Sequence, residues 1–276
     1  IDIDPNILQI GPFVLTWHGV FSAIGLAAGI WSAAFLGKRQ GLAEDDIYGT
    51  ALWGVVGAII GARLFHVIDS LPYYAQNPGQ AFLINEGGIA IFGAVVGGPI
   101  GGAIYARWRR LPIGKLADLG ALGLILGQAI GRIGDIINGE HYAVPTDLPF
   151  GVRYVHPNSL DQRGEVVHLA VGYEMILDLI IFGILLGLWR RLGGDGRLFW
   201  IYLALYSIAR FFLSFLRLDT IVAFGLRQAQ LVAVASVIVS AVMLGLLLWR
   251  QGRGPAPVLE VGPGGSDHTR RSQSRR

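Results

Sequence analysis

The chain has 276 residues, 53% of them hydrophobic and only 15% charged, and its mean hydropathy is +0.54. Soluble domains carry roughly 25% charged residues, so this composition excludes an ordinary soluble domain and points to an all-α, polytopic membrane protein. The absence of Cys excludes disulfides, thiolate metal sites and a cysteine nucleophile supplied by this chain, and the pI near 9.3 implies no nucleic acid, because the basic residues gather at the ends of apolar segments.

About 20 apolar residues cross a hydrocarbon core. On that ruler the sequence predicts seven spans, at 14–36, 47–69, 88–106, 116–137, 170–189, 198–216 and 228–249. The opening Ile1-Asp2-Ile3-Asp4-Pro5 lacks a basic n-region, so the first span is expected to act as its own insertion signal. The connecting segments separate by charge. Lys38 and Arg39, then Arg107, Arg109, Arg110 and Lys115, then Arg190, Arg191 and Arg197, and finally the tail arginines make up 15 of the 22 Lys and Arg residues. If seven spans alternate, all 15 lie on one side, which the positive-inside rule makes the cytoplasm. The N-terminus is then outside and the C-terminus inside.

The third span contains Gly93-Ala-Val-Val-Gly-Gly-Pro-Ile-Gly-Gly102, which reads as close packing or a broken helix rather than a nucleotide loop. Residues 139–169, with Pro145, Pro149 and Pro157, read as a small extracytoplasmic head. Residues 1–250 thus form one seven-helix membrane domain, and the Gly-, Pro- and Arg-rich stretch 251–276 reads as a disordered basic cytoplasmic tail. No internal repeat is evident.

The fourth span closes on Gly131-Arg-Ile-Gly-Asp-Ile-Ile-Asn-Gly-Glu140. A charge at the centre of a membrane helix costs at least about 2.5–3.5 kcal/mol, so such groups face a bundle interior and a partner. Gly131 and Gly134 leave a bare face for a close approach. Arg132 and Asp135, three apart, share that face. Arg132 alone could be an anchor reaching for headgroups, but Asp135, Asn138 and Glu140 within two turns favour a site. Asn138-Gly139 also suits a left-handed helix C-cap and could simply end the helix.

Arg63, Arg132 and Arg210 lie near the outer ends of spans two, four and six, which all run outward, so they can share one depth, with Arg217 and Arg227 just above. Three cations there suggest an anion, and a lipid phosphate is the commonest at that depth. Tyr206, four residues before Arg210, can orient a phosphate or belong to the interfacial aromatic belt. Tyr173 and Glu174 open the fifth span; Glu174 either complements an arginine across the bundle or sits at a helix N-terminus. His18 beside Trp17, like His66 and His141, reads as an interfacial histidine rather than a catalytic one. No His-Glu-x-x-His, Gly-x-Ser-x-Gly or P-loop occurs, so metal hydrolysis, serine hydrolysis and nucleotide-driven transport lack their signatures, and neither a metal nor a cofactor is expected.

The decapeptide 131–140 resembles the signature of the prolipoprotein diacylglyceryl transferases, which usually has Asn at the position of Asp135. Ile10–Gly19, Gly61-Ala-Arg63, Glu86-Gly-Gly-Ile-Ala90, His168–Glu174 and Tyr206–Arg217 resemble further family segments, in order, across about residues 9–249. The resemblance implies an enzyme of the bacterial cytoplasmic membrane that moves the diacylglyceryl group of phosphatidylglycerol onto the lipobox cysteine of a prolipoprotein signal peptide. By that likeness Arg132 binds the headgroup phosphate, and Arg210 assists at the phosphate or stabilises the leaving group. Asp135, Asn138, Gly139 and Glu140 shape the site, and Arg63, Tyr173, Tyr206 and His18 line it; the protein is expected to act as a monomer.

Three departures stand out. Phe92 occupies a position where many members have His, Ser214 one where some have Glu, and Leu169 replaces a Pro. Asp135, Glu140 or a nearby His could serve as the base instead. A non-catalytic lipid-binding homologue and a small-solute transporter are the competing readings.

Overall fold

A computed structural model describes residues 1–11, 13–83, 87–140 and 142–252. Pro12, Glu86, His141 and the expected tail from residue 253 onward lie outside the described residues.

A short antiparallel hairpin, β1 (Asn6–Ile10) and β2 (Phe13–Thr16), leads into α1 (Trp17–Lys38). The apolar run containing it reads from sequence as the start of a span at residue 14. The chain instead enters the helix at Trp17, where the Thr16 hydroxyl accepts from Gly19 N at 3.1 Å and caps the first turn. α2 (Glu44–Asp69) begins with Glu44, Asp45 and Asp46 at its positive dipole end. A short α3 (Leu71–Gln76) and a 3-10 turn at Pro78–Phe82 follow. Then come α4 (Ile91–Trp108), α5 (Ile113–Asn138), α6 (Ala170–Leu192) and α7 (Arg197–Leu213), which tightens into a 3-10 turn at Ser214–Leu216. A small hairpin, β3 (Ile221–Ala223) with β4 (Leu226–Arg227), precedes α8 (Gln228–Gly252).

Among the described residues six helices are long and apolar enough to cross a membrane: α1, α2, α5, α6, α7 with its 3-10 turn, and α8. α4 coincides with the expected third span, but it is shorter, at 18 residues, and carries Pro99 inside it.

Glycine ladders explain how these helices pair. Lipid supplies no hydrophobic drive between helices, so close backbone packing must replace it. A Cβ on Gly25 would lie 2.5 Å from the Gly127 carbonyl oxygen, and one on Gly29 would lie 2.5 Å from that of Gly123. These pairs run in opposite order, so α1 and α5 pack antiparallel with their backbones in contact. Gly57 and Gly61 of α2 meet Gly97, Gly101 and Gly93 of α4 in the same way, so the glycine-rich segment is a packing surface. α5 occupies the centre, and its Leu119, Leu122 and Ile125 are fully buried together with Leu185 of α6 and Leu198 of α7.

At the other end of α5, Asp118 is fully buried. Its Oδ2 accepts from the backbone N–H groups of Gly194 (2.7 Å) and Gly196 (3.0 Å), and Oδ1 from Phe199 (3.0 Å). This carboxylate from α5 caps α7 and fixes the angle at which α7 returns toward the decapeptide.

Candidate functional site

The decapeptide forms the C-terminal turns of α5. Gly139 stops the helix in the left-handed region at φ 70°, and a Cβ there would press on the Tyr154 ring at 3.1 Å. Gly134 does the work of close approach: an added Cβ would lie 2.6 Å from the Cα of His18. Gly131 has open space around it. The start of α1 therefore lies directly on α5, and the His18 ring reaches Asp135.

Arg132 Nη1 donates to Asp135 Oδ2 at 2.6 Å, and Nη2 donates to Glu174 Oε1 at 2.7 Å. The second oxygen of Asp135 lies 2.6 Å from His18 Nδ1, and Glu140 Oε1 lies 3.3 Å from the same nitrogen. Asn138 Nδ2 donates to Glu140 at 3.0 Å. Glu174 is only 2% exposed and ties three segments together. Besides Arg132 it accepts from the Tyr206 hydroxyl at 3.2 Å and from Arg217 Nη1 at 3.4 Å. The complementation of an arginine across the bundle thus holds for Glu174. Arg217 does not continue the face of α7; the chain has left the helix by Ser214–Leu216 and turns this guanidinium back toward α6.

The expected residues do not all meet. Arg132, Asp135, Asn138, Glu140, His18 and Tyr206 belong to one hydrogen-bonded network. Arg210 borders it, near enough to Asp178, Tyr206 and Arg217 for their charges to interact. Arg63 bonds elsewhere: its guanidinium donates to the carbonyl oxygens of Gln80, Ala81, Leu83, Gly87 and Gly88, at 2.6–3.1 Å. It organises the segment between α3 and α4. Tyr173 turns to His168, with its hydroxyl 3.4 Å from Nδ1, and packs edge-on against Phe150. Phe92 is the second residue of α4. The hydroxyl of Ser214 donates to the Arg210 carbonyl at 2.7 Å and so belongs to the helix end.

Asp178, one turn after Glu174 on α6, is a member of the site that sequence reasoning missed. It is 1% exposed, and neither carboxyl oxygen has a hydrogen-bond partner among the described residues. An acidic residue in the middle of an apolar span is a sufficient signal to have found it. Three cationic donors are likewise buried there without a hydrogen-bond partner among the described residues, Arg132 Nε, Arg210 Nη1 and Arg217 Nε, the last 3.6 Å from Asp219 Oδ2. Buried donors in native proteins are nearly always paired, and an unpaired guanidinium N–H is a directed site for an anion.

The segment after Gly139 is stitched over the network. Tyr154 Oη donates to the Ile136 carbonyl at 3.0 Å, and Leu160 N to that of Asn138 at 2.9 Å. Val144 N donates to Leu216 O, and Leu218 N to Tyr142 O. Arg163 bonds Asp161 through Nε at 2.9 Å and Nη2 at 2.6 Å. That contact holds the Asp161 carboxyl below its ordinary value of 3.8, while burial, aided by Asp161, pushes the Tyr154 hydroxyl up to about 12.

His18, Asp135 and Glu140 bring three ligand atoms within 4.8 Å of one another. The donor set is nevertheless a poor cation site, because Arg132 already donates to the Asp135 carboxylate and would repel a metal ion on it. Between α7 and α8 lies an apolar groove of about 210 Å³, lined by Ser207, Phe211, Val234 and Ile238 among others. Two of these residues flank Arg210 on its own helix.

Residues 5–246 match the family model described as prolipoprotein diacylglyceryl transferase. The chain is 37% identical over 273 residues to a Nostoc protein named phosphatidylglycerol–prolipoprotein diacylglyceryl transferase, covering 95% of this chain and 94% of that one. It is 38% identical over 254 residues to a protein of the same name from Symbiobacterium thermophilum (90% and 94% covered), and 37% identical over 224 residues to one from Clostridioides difficile (81% and 87%). With the match running from the first hairpin into α8, the chain belongs to the prolipoprotein diacylglyceryl transferase family.

Proposed function

We propose that this protein transfers the diacylglyceryl group of phosphatidylglycerol to the lipobox cysteine thiol of a prolipoprotein, the first step of bacterial lipoprotein maturation. The reading is carried by two guanidinium donors without a hydrogen-bond partner among the described residues, Arg132 Nε and Arg210 Nη1, beside Arg132 nitrogens already taken by Asp135 and Glu174. They suit the headgroup phosphate. In the reaction the cysteine sulfur attacks the glyceryl carbon bearing the phosphate ester, a C–S bond forms, and the C–O bond breaks. Its electron pair leaves on glycerol phosphate. Arg132 binds the phosphate and Arg210 meets the charge that grows on the leaving oxygen, the preorganised electrostatic stabilisation on which such displacements depend.

Asp135, Asn138, Gly139 and Glu140 set the wall nearest the acceptor thiol, and Tyr206 with Glu174 holds Arg132 at its angle. We assign Arg63 and Tyr173 to the margins of the substrate path, through the segments they anchor. The groove between α7 and α8 matches an acyl chain in chemistry. The family and the charge segregation support a multi-pass protein of the bacterial cytoplasmic membrane, and we take it to act as a monomer. On this reading α4 is the third of seven spans, the N-terminus and head 139–169 face outward, and the tail from residue 251 is cytoplasmic.

The test is lipidation of a lipobox peptide in vesicles containing phosphatidylglycerol. Wild-type protein should release one glycerol phosphate per thioether formed, and Arg132→Ala should abolish both. Unchanged product from the variant would refute the assignment. Binding of phosphatidylglycerol without any glycerol phosphate release would favour a non-catalytic lipid binder.

A further inference from the structure

His18 offers an exposed basic atom to the network. Its Nδ1 faces two carboxylates, Asp135 at 2.6 Å and Glu140 at 3.3 Å. Such a nitrogen carries the ring proton, as in any imidazole oriented by a carboxylate, and the lone pair is left on Nε2. Nε2 has no partner among the described residues, and the side chain is 44% exposed while that of Asp135 is 5% exposed. The backbone prepares this arrangement from both sides: Thr16 caps α1, and Gly134 admits the His18 Cα against α5. Arg132 pins the other oxygen of Asp135, so the carboxylate cannot swing away from the ring.

We propose that His18 is the general base for the acceptor thiol, with Asp135 and Glu140 as positioning residues that fix its tautomer. This rests on the transferase reading. The thiol proton moves to Nε2, the sulfur electron pair forms the C–S bond, and the C–O pair leaves with glycerol phosphate. The proton on Nε2 then passes to that phosphate. A thiol with pKa about 8.5 is mostly protonated at neutral pH, so a positioned base has a real barrier to lower. The charged groups facing the ring are Arg132, Asp135 and Glu140, all on or just after α5.

The experiment uses the full chain in phosphatidylglycerol vesicles with two acceptor peptides, one with the lipobox cysteine and one with selenocysteine there. A selenol is already ionised at neutral pH and needs no base. His18→Gln should lower kcat/KM for the cysteine peptide by about 10²- to 10⁴-fold, with phosphatidylglycerol binding retained and most of the loss absent with selenocysteine. Asp135→Asn should behave likewise. In the wild type, kcat/KM for the cysteine peptide should fall on the acid side as His18 becomes protonated, and the selenocysteine peptide should lack that limb. Equal losses with both peptides, no loss, or identical acid limbs would overturn the proposal while leaving the transferase reading intact. Activity lost on chelation and restored by a divalent cation would overturn it in favour of a metal on the same three residues. A wild type inactive toward both peptides would overturn the transferase reading and this inference with it.

Discussion

Replacing Glu174 with Gln tests whether one buried carboxylate holds the Arg132 end of the bundle together. Glu174 accepts from Arg132 at 2.7 Å, Tyr206 at 3.2 Å and Arg217 at 3.4 Å. A hydrogen bond to a charged group contributes about 1.5–3 kcal/mol, and removing one partner of a buried ion pair costs about 3–5 kcal/mol. Gln keeps the shape and one acceptor, which can still serve Arg132. Its amide N–H groups would then point at Arg217, turning an attraction into donor against donor. The Arg217 bond is the longest of the three, so the lower end applies, about 3 kcal/mol. At 1.4 kcal/mol per decade this is a loss of roughly 10²-fold in the folding equilibrium, readable by unfolding in mild detergent. Tyr206→Phe removes only the 3.2 Å contact and should cost about 1.5 kcal/mol. The double variant should be less damaging than the two losses added, because both act on one network. A Glu174→Gln protein within about 0.5 kcal/mol of wild type, the range of ordinary surface changes, would refute the hub.

Gly29→Leu forces a side chain onto the Gly123 carbonyl and should separate α1 from α5, costing about 1–3 kcal/mol or more and carrying His18 away from Asp135; crosslinking between the helices and detergent stability would report it. Asp118→Ala strands the N–H groups of Gly194, Gly196 and Phe199, so amide exchange over 194–199 should rise sharply while exchange at Asn138 changes little. The Asp161–Arg163 contact predicts an acid limb for the segment 139–169. The folded carboxyl titrates below its ordinary value of 3.8, so its stabilisation is complete above that value and is lost as pH falls through the lower folded one. Protease resistance of the segment should follow that course, and Asp161→Asn should remove the limb at the cost of lower resistance at neutral pH.

Much of this architecture was legible because membrane folding leaves few options. Apolar runs of about 20 residues must be helices, since lipid satisfies no backbone group. All seven expected segments therefore coincide within a few residues with a helix, and six of those helices are long and apolar enough to cross a membrane. The N-terminal hairpin was hidden because its residues are as apolar as the helix that follows, and hydropathy does not separate a short alternating strand from a span entrance. The glycines of the third segment declared close packing; only the fold could say that the partner is α2.

At the site, intramembrane charge identified Arg132, Asp135 and Arg210, and the rule that such charges need partners led to Glu174. Arg63 was grouped with them by depth alone. Depth along a helix says nothing of azimuth, and its guanidinium turns to five carbonyl oxygens instead. The same charge rule marks Asp178. Sequence alone does not separate an interfacial from a catalytic His18, because its meaning depends on Asp135, 117 residues away in sequence and 2.6 Å away in space.

The most direct measurement is single-turnover transfer from labelled phosphatidylglycerol to a lipobox peptide by Arg210→Gln beside wild type. Arg210 Nη1 is buried without a hydrogen-bond partner among the described residues, so its proposed role lies in meeting the phosphate. The account predicts a rate reduced by at least about 10²-fold, as for loss of one oxyanion donor, with the detergent stability of the bundle nearly unchanged. A variant that transfers at the wild-type rate would contradict it.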